Sequence, residues 1–273
     1  MTTDAERVAQ ARIALACLDL TSLNDGDTEA DIAALCEKAR SPMGSPAAVC
    51  VWPRLAAFAR SQLPAQVSVA AVANFPEGHT DIDAAVRDTW TIMEAGAQEV
   101  DVVLPWRALQ AGGAQDAQGA RTCAQLLQAV RRACEGRVLK VILESGNLAS
   151  PSWIQQASEL ALDAGADFLK TSTGKSGTGA TPEAARIMLG VIAKRSQPGQ
   201  PVAGFKASGG VRKVADASVY IALVRELLGL SEVTSRHLRI GASGLLDDIL
   251  AVGNSSPNPS TLDGRTGLNP HAY

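Results

Sequence analysis

A chain of 273 residues with a net charge of −3 and 46% hydrophobic side chains can bury one large core, and it carries no basic stripe of the kind that meets a nucleic acid. Its five cysteines (Cys17, Cys36, Cys50, Cys123 and Cys134) are odd in number and nowhere spaced C-x-x-C, which favours reduced thiols in a cytoplasmic protein over a disulfide framework or a zinc site. The N-terminus lacks a basic region followed by an apolar run, and no apolar segment approaches the roughly 20 residues of a membrane span, so neither a secretory signal nor a membrane partner is expected.

Residues 13–20 form the first apolar run and predict a strand ending in Asp19-Leu20-Thr21, after which Asp27-Thr28-Glu29 opens a helix through Arg40. A second strand is expected over 47–51, with Pro53 at the first position of the next helix. The third, over 67–73, leads into the loop Asn74-Phe75-Pro76-Glu77-Gly78-His79, and a helix over 80–95 stops at Gly96. Strand four covers 99–104, with Asp101 among valines, and precedes a helix over 116–134. Strand five, over 138–143, enters Glu144-Ser145-Gly146; a helix over 151–164 then leads to strand six over 168–170. A helix over 182–194, a strand over 202–206, a helix over 213–228, a strand at 239–240 and a helix over 243–250 complete the series. Eight strands alternating with eight helices predict a parallel sheet closed as a TIM (β/α)8 barrel, one α/β domain over 1–252. Residues 253–273, rich in Ser, Pro, Asn and Gly, predict a flexible tail ending in Tyr273.

An internal echo supports the repeat. Glu94-Ala95-Gly96-Ala97-Gln98-Glu99-Val100-Asp101 parallels Asp163-Ala164-Gly165-Ala166-Asp167-Phe168-Leu169-Lys170, helix end to strand, and brings Asp101 and Lys170 to the same end of the barrel.

That end hosts chemistry in such barrels, and its polar candidates are Asp19, Cys50, Asp101, Glu144, Lys170 and Lys206. Each alone has a plain structural explanation: Asp19 capping a turn, Glu144 pairing with a lysine, Cys50 packing. Together they place two lysines and a carboxylate on one face. A lysine at the end of a buried apolar strand is costly as a cation, and a second lysine beside it lowers the pKa of at least one. A partly neutral amine is what a Schiff-base nucleophile requires, and Asp101 is a candidate general acid/base. Gly209-Gly210 after the seventh strand and Gly241-Ala242-Ser243-Gly244 after the eighth occupy loops that often bind phosphate in this architecture. The histidines at 79, 237 and 271 are scattered without a metal-binding pair, and no GxGxxG follows the first strand, so neither a metal nor a dinucleotide is expected.

The segments Leu18-Asp19-Leu20-Thr21, Glu99-Val100-Asp101-Val102-Val103, Phe168-Leu169-Lys170-Thr171-Ser172-Thr173-Gly174, Gly204-Phe205-Lys206-Ala207-Ser208-Gly209-Gly210-Val211-Arg212 and Gly241-Ala242-Ser243 resemble the deoxyribose-phosphate aldolases, in the right order from Ile13 to Leu250. The resemblance implies a cofactor-independent class I aldolase that reversibly cleaves 2-deoxyribose 5-phosphate to glyceraldehyde 3-phosphate and acetaldehyde. It makes Lys170 the Schiff-base lysine, Lys206 the neighbouring cation and Asp101 the proton-relay carboxylate. Asp19 would position Lys206 and the sugar hydroxyls. Gly174, Lys175, Gly209, Gly210, Gly241 and Ser243 would cradle the phosphate. Thr171, Val211, Arg212, Gly244 and Cys50 complete the expected substrate contacts. Tyr273 resembles the C-terminal tyrosine that longer enterobacterial-type members use in proton transfer, and dimers are common in the family, so a homodimer is expected.

Two departures stand out. Ser243-Gly244 replaces a serine pair of some relatives, removing one side-chain contact, and Lys206-Ala207-Ser208 replaces a stiffer Lys-Pro-Ala. Competing readings are another phosphosugar lyase or isomerase, and a phosphometabolite-binding protein without turnover. The second needs no buried pair of amines.

Overall fold

The computed structural model describes residues 3–111, 117–197 and 202–254. Eight parallel strands close on themselves in sequence order, each hydrogen-bonded to the next and the last to the first, as a TIM (β/α)8 barrel.

The chain begins with a helix, α1 (Asp4–Ala16), where the apolar run from residue 13 predicted strand. Thr3 and Glu6 form a reciprocal capping box at its start, and the helix they nucleate carries through Ile13–Ala16 before the chain extends into β1 (Leu18–Thr21). An apolar run of this length fits either period, and the cap decides it. A second capping box, between Thr28 and Asp31, opens α2 (Glu29–Lys38). After β2 (Ala48–Val51), Pro53 occupies the first turn of α3 (Pro53–Gln62). Then follow β3 (Ser68–Ala73), α4 (Ile82–Glu94, capped by Asp81) and β4 (Glu99–Val103).

Two short helices escape the sequence pattern: α5 (Trp106–Ala111), which precedes α6 (Ala117–Ala133), and α7 (Ser145–Leu148), which follows β5 (Val138–Ile142). The remaining units are α8 (Pro151–Asp163), β6 (Phe168–Lys170), α9 (Pro182–Arg195), β7 (Gly204–Ser208), α10 (Val214–Leu227), β8 (Leu238–Ala242) and α11 (Leu245–Asn254). Residue 116, the expected start of α6, lies outside the described residues. Gly253 and Asn254 belong to α11 rather than to a tail; residues 255–273, Tyr273 included, lie outside the described residues.

The outward faces of the strands, with Leu18, Leu20, Val49, Val100, Val102, Leu139, Leu169, Phe205 and Ile240, pack against the helices as one continuous core. The inward faces are different. A small apolar cluster of Leu23, Ala48, Cys50, Ala70 and Val72 fills the β2–β3 side, and charged residues fill the rest. All five cysteines are free and buried, and no helix among the described residues is long and apolar enough to cross a membrane.

Candidate active site

Parallel register decides which side chains meet inside the barrel. Asp101 on β4 pairs with Lys140 on β5, Lys170 on β6 with Lys206 on β7, Lys206 with Arg239 on β8, and Asp19 on β1 with Gly241 on β8. Because side chains alternate across a strand, these residues share the inner face. The barrel therefore encloses a ladder of four cations and three carboxylates, all buried: Lys140, Lys170, Lys206 and Arg239 with Asp19, Glu99 and Asp101.

Asp101 is the hub. Its Oδ2 accepts from Lys170 Nζ at 2.8 Å and from Lys206 Nζ at 2.8 Å, and its Oδ1 accepts from Lys140 Nζ at 2.7 Å. Asp19 accepts from Lys206 at 2.5 Å and from Arg239 at 2.7 Å. Lys140 lies 2.5 Å from Glu99, and the Arg239 guanidinium holds both oxygens of Glu99 at 2.8 and 3.0 Å. Room for this crowding comes from glycine. Gly241 faces Lys206, and a Cβ there would come within 2.8 Å of Ser208 Oγ and 3.1 Å of Lys206 Cε.

Contacts of this kind divide the lysines. Lys140 and Lys206 each reach at least two carboxylates, which outweigh the cost of burial and raise both above their ordinary values. Among the described residues Lys170 reaches one carboxylate, Asp101. Burial, reinforced by the like charge of Lys206, outweighs that one carboxylate and leaves the Lys170 amine below its ordinary value. Burial also opposes ionisation of Asp101, but Lys140, Lys170 and Lys206 together hold it well below the usual carboxylate range. Lys170 keeps 2% exposure where Lys140 and Lys206 have none, so the least basic of the three is also the one nearest to solvent.

Above the ladder opens a cleft of about 620 Å³. It is lined by Gly174 and Lys175 after β6, by Gly209, Gly210, Val211 and Arg212 after β7, and by Gly241, Ser243 and Gly244 at β8 and the approach to α11. Thr21, at the end of β1, and Ser22 to Asn24 after it complete the lining. Gly174, Gly209 and Gly210 adopt φ of 76°, 82° and 88°, which other residues rarely accept. The loops brace one another: Ala180 N–H donates to the carbonyls of Ser208 and Gly209 at 3.0 Å, and Ser172 Oγ donates to Ser208 O at 2.6 Å. Backbone amides at the start of α11 and the Lys175 ammonium suit an anion there. Lys175 now rests 3.4 Å from the exposed Asp25, a pairing worth little in water.

Not every expected contact lies in this cleft. The Thr171 hydroxyl is buried and bonded to the backbone of Ser208, accepting from its N–H at 3.0 Å and lying 3.1 Å from its O. Cys50 faces into the barrel with Ala48, Ala70 and Val72, and burial raises its thiol pKa. The N–H of Arg212 is taken by the Asp216 carboxylate at 3.0 Å, leaving its side chain for a ligand. Among the described residues Glu144 pairs with no lysine: its carboxylate accepts from the hydroxyls of Thr173 at 2.7 Å and Ser176 at 2.8 Å, tying down the loop that carries Lys175. Lys140, Glu99 and Arg239 were absent from the expected set. Lys140 carries the same signal as Lys170, a lysine inside an apolar strand.

The sequence matches the family described as DeoC/LacD family aldolase over residues 13–244. Among solved structures, a protein assigned as a deoxyribose-phosphate aldolase from Toxoplasma gondii is 24% identical, with a TM-score of 0.83 over 93% of this chain and 98% of its own. One so assigned from Coccidioides immitis is 30% identical, with a TM-score of 0.72 over 87% of this chain and 85% of its own. The tetrameric deoxyribose phosphate aldolase of Aeropyrum pernix is 23% identical, with a TM-score of 0.67 over 93% and 99%.

Proposed function

The chain belongs to the DeoC/LacD family of aldolases, and from that premise we propose that it cleaves 2-deoxyribose 5-phosphate reversibly to glyceraldehyde 3-phosphate and acetaldehyde through a Schiff base on Lys170. One observation carries the choice of nucleophile. Lys170 is the only buried lysine among the described residues that meets a single carboxylate, and its amine is the one driven towards neutrality.

The free amine adds to the aldehyde carbon C1 and water leaves, forming an iminium. Loss of the C3 hydroxyl proton then breaks the C2–C3 bond. The bonding pair moves into the iminium to give an enamine, and glyceraldehyde 3-phosphate departs. Protonation of the enamine at C2 and hydrolysis release acetaldehyde and the amine. Asp101 touches both Lys170 and Lys206, so a proton shed by one amine has a path of two hydrogen bonds to the other. Asp101 and, after it, Asp19 outweigh burial and keep Lys206 an ammonium and a proton store. Tyr273 is a second candidate for the proton at C2. The substrate phosphate is assigned to the glycine-lined cleft, and the reaction needs no cofactor.

Acetaldehyde with borohydride is expected to leave one ethyl group on Lys170, read by peptide mass spectrometry. Label on Lys140, Lys206 or Lys175 instead, or on no lysine, overturns the assignment. Phosphate on the substrate should matter as well. Deoxyribose lacking it should show kcat/KM lower by about 100-fold or more, since charge-assisted hydrogen bonds contribute about 1.5–3 kcal/mol each and remote binding supports the chemical step. Equal kcat/KM for the two sugars would remove the anion from the cleft.

A further inference from the structure

The reaction proposed above employs Lys170, Lys206, Asp101 and Asp19, and leaves the floor of the ladder without a task. Arg239 sits at the other end of the barrel from the cleft. Its guanidinium lies 5.4 Å from the Phe168 ring centroid, its Nε donates to Ser235 O at 2.7 Å, and it borders a recess of about 330 Å³ at the starts of β5, β6 and β8. Glu99 opens β4 at the same level, held by Arg239 and Lys140. Gly204 makes the floor possible, because a Cβ there would come within 2.2 Å of Phe168.

The charges enclosed in the barrel with Lys170 are, strand by strand, Asp19 on β1, Glu99 and Asp101 on β4, Lys140 on β5, Lys206 on β7 and Arg239 on β8, linked to one another by ion pairs and to Lys170 through Asp101. β2 supplies the Cys50 thiol, kept neutral by burial, and β3 only Ala70 and Val72. Glu144, beyond the end of β5, is occupied by Thr173 and Ser176. Among the described residues, four cations against three carboxylates leave one positive charge without a counter-charge. In a site of low dielectric that excess is relieved most cheaply where a cation has the fewest carboxylates, and that cation is Lys170.

We infer that Arg239 and Glu99, out of reach of the substrate, are positioning residues that set the protonation of Lys170 by fixing the charge count inside the barrel. This rests on the Schiff-base reading. Removing the Glu99 charge raises the excess and favours the free amine; removing the Arg239 charge cancels the excess and favours the ammonium. Removing both restores a single excess charge.

The test is the pH at which acetaldehyde and borohydride trap half of Lys170 at fixed time, in the full-length protein. Glu99→Gln is expected to lower that midpoint by about one pH unit and Arg239→Met to raise it by about one, each a tenfold change in the fraction of free amine. The double variant should return to the wild-type midpoint, which a merely structural pair would not do. Arg239→Lys, which keeps the charge, should stay there too. Shifts of the same sign in both single variants, or no shift, overturn the inference while the Schiff base stands. Failure to trap Lys170 in the wild type overturns both. Should Arg239→Met not fold, the isosteric Glu99→Gln decides alone by the direction of its shift.

Discussion

Lys170→Met is expected to reduce turnover by about 10⁴-fold or more and, at neutral pH, to stabilise the fold. The first effect follows from losing the nucleophile. The second follows from the ladder: Asp101 keeps Lys140 and Lys206 as partners, so methionine removes the uncompensated cation and strands no carboxylate. Replacing a poorly paired buried charge by an apolar side chain of similar size is worth about 1–3 kcal/mol, a rise in Tm of about 2–8 °C for a chain of this length. The gain should depend on pH in a defined sense. Burial and then Lys206 hold the folded-state Lys170 amine below its ordinary value, against the pull of Asp101. Between that lowered value and about 10.4, where an unfolded lysine titrates, the unfolded chain binds a proton that the folded chain does not. Wild-type stability attributable to Lys170 therefore rises with pH through this window, and the advantage of the variant should shrink as pH approaches 10. Denaturant unfolding at pH 7 and pH 10 reads both values. A variant less stable than wild type at pH 7, or a gap that widens with pH, would place the excess charge elsewhere.

Much of the barrel is written in local signals. The strands are short apolar runs, and at both positions of the internal echo a glycine with positive φ, Gly96 at 75° and Gly165 at 86°, turns a helix end into a strand. Where local signals compete, the sequence is ambiguous: residues 13–16 suit either a helix or a strand, and only the Thr3–Glu6 box, outside the apolar run, settles them as helix. The short α7 was illegible for another reason. It starts from Glu144 at φ 57°, a conformation unusual for glutamate and held here by hydrogen bonds to Thr173 and Ser176, about thirty residues on in the chain. The site divides the same way. Lys170, Lys206 and Asp101 stand out because charge interrupts an apolar strand, for Lys170 at its last residue. Lys140 interrupts its strand too, at the same level as Asp101, and only register with Asp101 shows that it points inward. Arg239 and Glu99 resemble ordinary strand-end charges until the closure of β8 onto β1 brings Arg239 against Asp19.

Lys206→Leu tests the division of labour between the two upper lysines. The variant is expected to fold, because neither carboxylate it leaves behind is abandoned: Asp19 keeps Arg239 and Lys140, and Asp101 keeps Lys140 and Lys170. The interior then holds three cations and three carboxylates, and Lys170 becomes the unopposed upper partner of Asp101. Two contributions to its amine change together. The like charge that lowers it disappears, and Asp101, no longer shared with Lys206 through Oδ2, holds the ammonium more strongly. Activity at pH 7 should fall by about 100-fold or more, as the free amine becomes scarce and Asp101 loses the second amine of its relay. Trapping with acetaldehyde and borohydride should be nearly absent at pH 7 and recover at pH 9 to 10, because a raised amine pKa delays imine formation without preventing it. Turnover should recover less than trapping, because the missing proton store is not replaced by hydroxide. The pH dependence of both, measured on the same preparation, separates the two contributions. If Lys206→Leu kept wild-type turnover and trapping at neutral pH, the second lysine would have no part in activating the first.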